Sequence, residues 1–410
     1  MKAFVKTGIF VILAVFLFSS ASCQFRNTKE EIPHDPDIRS GRPDIYPAPL
    51  NYLGEQKWGY INNTGRFILK PEFDKAFRFQ PNGLAVAGKE GKVGLIDTAG
   101  KFVVELVYDA INDFTEGLAV AQDDSGFKVL NENGEVISGT YPYIDNYSNG
   151  RASFYTILQD GKLRYGYLDE TGNVAVRPVF EYAGSFENGR AVVRVRDSEY
   201  AIIDRNGNIL KQLKYSYVMN LSDGMAAFLP KQDGKYGYLN SKGDIAIAPS
   251  FLSVMGFREG TAVVNASDDY TVNKYGLIDK KGNYLIKPQY NDILQLGEGM
   301  VALGIAADPD NIFAGSKYAL AGQDGKIITD FLFYGMEHFK SGIASVYDNT
   351  KTFFIDKSGK KVDSLPSAEG IGTLEVIGDL IYADIDRRPY YMNLQGEIIY
   401  RPSNSIFLKN

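Results

Sequence analysis

The chain has 410 residues, with 44 Lys and Arg against 50 Asp and Glu, a formal net charge of −6. An acidic chain with no basic stripe is a poor match to nucleic acid or to an anionic lipid surface. One cysteine and two histidines exclude a disulfide framework and leave little for a zinc centre or a Ser-His-Asp triad.

Residues 1–22 read as a targeting segment. Lys2 and Lys6 give a positive start, Ile9 to Phe18 is an apolar run, and Ser19-Ser20-Ala21-Ser22 supplies small residues for cleavage. Cys23, the lone cysteine, follows at once, so the segment resembles a bacterial lipoprotein signal with Cys23 as the lipidated first residue. That resemblance implies a mature chain held at the cell envelope and touching membrane through its N-terminal lipid only. Losing Lys2 and Lys6 leaves 42 basic against 50 acidic residues, a mature charge of −8. Residues 23–49 carry Pro33, Pro36, Pro43, Pro47 and Pro49 among charges, which predicts a lipidated, semi-rigid tether. At about 3.1 Å per residue it spans some tens of Å.

From residue 50 to 403 a glycine recurs at intervals of 34 to 43 residues: Gly65, Gly100, Gly134, Gly172, Gly207, Gly243, Gly282, Gly325, Gly359 and Gly396. Three residues earlier stands Asp or Asn at nine of the ten, Gly322 being the exception. Asp or Asn opens a type I turn and caps its amides, and the glycine supplies the positive φ that re-enters a strand. These acids are therefore turn chemistry and not a metal site. Within one unit, residues 84–88, 93–97 and 102–108 read as short strands. Gly-X-Ala recurs at the first of them (Ala85, Ala119, Ala152, Ala191, Ala226, Ala262, Ala344), after a core aromatic or Leu such as Phe79, Phe186 or Leu221. The third commonly ends in Pro plus an aromatic, as in Pro71-Glu72-Phe73 and Pro178-Val179-Phe180, and proline belongs at a strand end or edge.

The run Trp58-Gly59-Tyr60-Ile61, followed by Asn62 and Gly65, resembles the bacterial WG repeat. Val93-Gly94, Tyr165-Gly166, Tyr236-Gly237 and Tyr275-Gly276 keep the glycine, whereas Phe127-Lys128, Tyr200-Ala201 and Tyr318-Ala319 lose it. The resemblance implies a structural repeat with no shared reaction and no catalytic residues.

The expected fold is all-β: a tandem array of about ten three-stranded meanders of 34–43 residues, ending in a tail over 404–410. An open, curved or superhelical array is preferred, because Tyr52 and Pro402 start and finish the repeats in phase and ten units exceed the usual four to eight blades. A closed β-propeller-like ring, or two smaller propellers, is the alternative.

No catalytic, metal or cofactor-binding residue stands out. Insertions are the better pointers, since extra residues in a repeat map to loops on one face. They are residues 306–317, 157–164 and 266–274, with Asp308, Asp310, Asn311, Phe313, Lys317, Lys162, Arg164, Asp268, Asp269 and Tyr270 as candidate contacts. The expected role is a non-catalytic envelope protein that presents a repeat surface to a protein partner. A surface glycan, bound by exposed Tyr and Phe, is the alternative, and an envelope hydrolase working through two carboxylates is a distant third.

Overall fold

The computed structural model describes residues 41–51, 56–269, 271–311 and 315–403. Cys23, Tyr52, Tyr270, Phe313, the targeting segment, most of the tether and the tail lie outside them.

Ten antiparallel sheets follow one another along the chain, over residues 46–73, 75–108, 110–131, 143–180, 182–214, 217–251, 253–290, 292–322, 335–369 and 372–400. They are sheets 1 to 10 below. No helix occurs among the described residues. Seven sheets have four strands and three have three, in simple meander order. The expected three-stranded unit thus misses a strand of about two residues, such as Lys75–Ala76 or Tyr182–Ala183, too short to show a period. In sheet 2 the second and third strands are Ala85–Lys89 and Lys92–Ile96, buried almost throughout, and the outer one is Phe102–Tyr108, alternately exposed.

The Asp/Asn and Gly pairs form the predicted turns. Asp97 Oδ1 accepts from the N–H of Ala99 at 3.0 Å and of Lys101 at 2.9 Å, and Gly100 has φ +80°. Where Gly322 replaces the acid, Asp324 Oδ1 accepts from the N–H of Lys326 instead.

The glycine of the Trp-Gly pair has a separate cause. In sheet 4 Tyr165 pairs with Phe180 and Tyr167 with Val176, so Arg177, Pro178 and Val179 bulge out of the ladder opposite Gly166. A Cβ on Gly166 would lie 2.4 Å from the carbonyl oxygen of Val176 and 2.9 Å from the nitrogen of Pro178. Gly59, Gly237 and Gly276 face proline-bearing bulges in the same way. Proline, lacking an N–H, sits where the ladder is already interrupted. Sheet 5 carries Ala201 there, and its outer strand Ile209–Lys214 runs past it in register, with Tyr200, Ala201 and Ile202 opposite Leu213, Gln212 and Lys211 and the one shift beyond them, between Ile202 and Ile203. Its turn glycine Gly207 lies six residues before Leu213, against eight from Gly172 to Phe180. The alanine and the two missing residues are one structural fact.

Ten buried apolar clusters lie between consecutive sheets. An open row of ten sheets has nine junctions; the tenth cluster joins Ile377, Leu380 and Tyr391 of sheet 10 to Tyr46, Ala48 and Ile61 of sheet 1. Tyr391 and Tyr400 donate their hydroxyls to the carbonyls of Pro47 and Pro49, each at 2.7 Å. Ser403 N–H donates to Leu50 at 3.0 Å, much as Asp74 and Asp109 do where one sheet hands over to the next. The chain therefore closes into a ring, and the open superhelix gives way to the propeller alternative. In sheet 1 the strand Tyr46–Pro49 pairs as second strands do elsewhere, with Ala48 opposite Gly59 as Ala87 is opposite Gly94. Pro47 and Pro49, read above with the tether, stand in this buried strand.

Candidate binding face

A meander places its turns on two faces. Hairpins joining second to third strands emerge on one, which we call the tip face; the other two turns of each sheet emerge on the opposite face. All three insertions are tip hairpins, joining Ala152–Ile157 to Leu163–Leu168, Thr261–Asn265 to Tyr275–Asp279, and Met300–Ala306 to Ser316–Gly322. Those of sheets 7 and 8 are neighbours. The tip of sheet 4 stands three sheets round the ring from sheet 7, so the candidate residues form two groups.

The tip acids are mostly occupied. Asp269 Oδ1 accepts from Thr271 N–H at 2.8 Å and Asp308 Oδ1 from Asp310 N–H at 3.0 Å, while Asn311 N–H donates to the Asp308 carbonyl at 3.1 Å. Asp268 is paired with Lys235 of the preceding sheet, which holds its carboxyl below the ordinary range. Lys162 meets Asp160 at 3.3 Å and Arg164 meets Glu181 at 4.0 Å. Lys317 lies 5.3 Å from the ring centre of Tyr334. Among the described residues no group of three or more His, Cys, Asp or Glu is placed to hold a metal.

Apolar side chains stand between these charges. Ile157 is 59% exposed, Leu158 42% and Leu163 41%, all on the tip of sheet 4, and Val272 and Ile305 are exposed on the tips of sheets 7 and 8. Beneath the sheet 4 tip runs a band of half-buried rings from sheet 3 to sheet 5. Phe127, Tyr143, Tyr155, Tyr165 and Tyr182 succeed one another at centroid distances of 5.5, 5.7, 5.3 and 6.1 Å, with Tyr143 and Tyr155 stacked. Sequence reasoning missed this band. Its signal was an aromatic in the Trp slot of one unit and another opening the next.

The opposite face carries a different device. At its two-residue turns the first central residue has positive φ and the second is glycine, as in Glu116-Gly117 and Glu259-Gly260. Carboxylates here reach to the next sheet. Glu116 accepts from the N–H groups of Asn149 and Gly150 at 2.7 and 2.8 Å, and Glu259 from Glu298 and Gly299 at 2.9 and 3.0 Å. Glu187, Asp223 and Glu298 do the same toward Gly224, Gly260 and Gly342.

The short first strands and the residues after them line the inner edge. Only a narrow inner circumference lets side chains meet across an intervening sheet, as Arg78 and Glu375 do at 3.7 Å and Arg258 and His338 at 3.3 Å. Burial raises the Asp113 and Asp145 carboxyls above the ordinary value, and Arg42 and Arg78 partly offset this at Asp113.

Ten small antiparallel sheets packed face to face in a closed ring define a ten-bladed β-propeller. Six segments, residues 58–92, 94–126, 165–197, 200–236, 236–268 and 275–303, match the WG containing repeat. Among solved structures, the chain is similar to one described as the crystal structure of the eukaryotic initiation factor, at 11% identity and a TM-score of 0.50 over 75% of this chain and 92% of that one. BamB from Moraxella catarrhalis matches at 14% identity and a TM-score of 0.35 over 67% and 93%. A search of curated proteins finds no match.

Proposed function

We propose that this propeller is a non-catalytic binding protein whose tip face receives a protein partner. The observation that carries the reading is the placement of all three insertions on that one face, with exposed Ile157, Leu158 and Leu163 over a tyrosine band. Aliphatic anchors beside aromatic rings and rimmed by charges suit a protein interface. In this reading Cys23 holds the ring at the cell envelope through its lipid, and the partner is an envelope protein.

The test places a photo-cross-linking residue at position 158, and separately at position 206 on the opposite face, in cells that carry the lipidated chain. A single adduct from position 158, absent from position 206 and lost in the Ile157→Asp/Leu163→Asp variant, supports the proposal. Equal capture from both faces, or adducts that survive the double variant, sinks it. The stacked pair Tyr143 and Tyr155 favours a second reading, a glycan lying along the band. Saturable binding of an oligosaccharide that Tyr155→Ala removes would move the assignment there.

A further inference from the structure

The outer rim of a propeller blade is a sheet edge, and an edge strand offers alternate N–H and C=O groups for another chain to pair with. Six described outer strands have six or seven residues: Phe67–Phe73, Phe102–Tyr108, Val174–Phe180, Ile209–Lys214, Ile245–Phe251 and Tyr284–Tyr290. In five of them three residues bulge out opposite a single glycine of the inner strand, four of these bulges holding a proline. Of these six, only Ile209–Lys214 pairs its inner neighbour over four successive residues, from Glu199 with Lys214 to Ile202 with Lys211. The edge strands Gly126–Asn131 and Ser316–Gly322 pair without a bulge, but residues 136–141 and 327–333 already bond to their outer sides. Ile209–Lys214 contains no proline, and all its residues but Leu213 are exposed.

Beside it, where other blades carry the bulge, lies an open groove of about 620 Å³ lined by Lys211 to Tyr215 and by Gly243, Asp244 and Ile245 of the next blade. Lys211 and Lys214 line it and the exposed Lys242 precedes its Gly243, with Lys211 bonded to Asp244 at 3.1 Å and Lys214 opposite Glu199. Glu199 is itself bonded to Arg196 at 2.6 Å. Lys211, Lys214, Lys242 and Arg196 thus stand against Asp244, Glu199 and Asp197, a local cationic excess on a chain whose net charge is −6.

We propose that this rim is a second docking site, where an extended acidic segment of a partner protein adds as a fifth strand to sheet 5 and lies in the groove. Main-chain pairing supplies the register and the lysines select the charge. A second copy of the chain is a poor occupant, because two such strands pairing with each other would put four lysines along one ladder and add no carboxylate to it. The site is independent of the tip face.

The probe is a labelled, N-acetylated eight-residue peptide alternating valine with aspartate or glutamate, titrated into the full chain by fluorescence anisotropy. Saturable binding is expected, weakened at least tenfold by the exposed pair Lys211→Glu/Lys214→Glu and leaving the tip-face cross-link unchanged. N-methylating alternate peptide amides separates strand addition from charge attraction: one frame abolishes binding and the other is tolerated. Amides of residues 209–214 become protected from exchange on binding. Absence of saturable binding, equal affinity of the two N-methylated frames, or protection elsewhere would overturn the proposal.

Discussion

At the residue scale, the Trp-Gly motif is a statement about space and not about recognition. Gly166→Ala drives a methyl into the Val176 carbonyl, and we expect a loss of about 1 to 3 kcal/mol in urea unfolding. Removing two bulge residues, Arg177 and Pro178, from that variant recreates the local pattern of sheet 5 and is expected to restore part of the loss. No recovery would mean that the bulge and the glycine are unrelated. Tyr60, Tyr167 and Tyr238 are fully buried, and each donates its hydroxyl to a carbonyl of the next blade's first-strand segment, at Phe77, Gly184 and Met255. Tyr167→Phe leaves the Gly184 carbonyl short of that bond, and a cost of about 1 to 3 kcal/mol follows.

The turn acids give a pH dependence with a definite sign. The Asn208 amide beside Asp204 and the Ser358 hydroxyl beside Asp356, with the turn N–H groups, hold both carboxyls below their ordinary value. Their contribution is present above the unfolded value, near pH 4, and is lost as pH falls through the lower folded one. Asp113 and Asp145, raised by burial, act oppositely: theirs is complete below the unfolded value and lost as pH rises through the folded one. Where the caps dominate, the urea midpoint is therefore expected to fall as the pH drops below about 4. Asp204→Asn should be near neutral at pH 7 and flatten that acid limb, since Asn131, Asn240 and Asn393 make the same turn cap. A limb as steep as in the parent chain would show that Asp204 contributes nothing.

At the scale of elements, strands were legible where they were long. The outer strand predicted over 102–108 stands at Phe102–Tyr108, because seven residues bounded by turn signals leave a readable pattern. The two-residue first strands were not, since two residues carry no period, and several form where the preceding strand hands over through a single residue such as Asp74. The insertions were legible as departures from the repeat, and topology then put them on one face. Of their Asp residues, read as candidate contacts, Asp269 and Asp308 accept from N–H groups of their own turns, and the pairing of Asp268 with Lys235 depends on the neighbouring blade. The carboxylate latches are another product of neighbours. Glu259→Ala removes acceptors for two N–H groups of the next turn, and we expect about 1 kcal/mol of destabilisation, with faster amide exchange at Glu298 and Gly299 before any global change. Unchanged exchange there would deny the latch.

For the whole molecule, closure makes every blade an interior blade. Ile61, at the junction of sheets 10 and 1, and Ile202, between sheets 5 and 6, are both fully buried. Ile61→Ala and Ile202→Ala should therefore cost similar amounts, about 2 to 5 kcal/mol each. In an open array the terminal position would be exposed to fraying and far cheaper to truncate. Similar losses in denaturant unfolding confirm the ring; a loss under about 1 kcal/mol at Ile61 alone argues for an open end.

By itself the sequence determined the unit: its period, its capped turns, its buried alanines and aromatics, and the places where loops lengthen. These are local matters, settled by φ, by side-chain caps and by which residues must leave water. Only the tertiary structure decided that the units close, that Pro47 and Pro49 belong to a blade, that the Trp-Gly glycine answers a bulge, and which candidate residues share a face. Curvature is the sum of small rotations between ten neighbours, and no single repeat records that sum. The meeting of Tyr391 with Pro47 is a contact across 344 residues, which the repeat period cannot express.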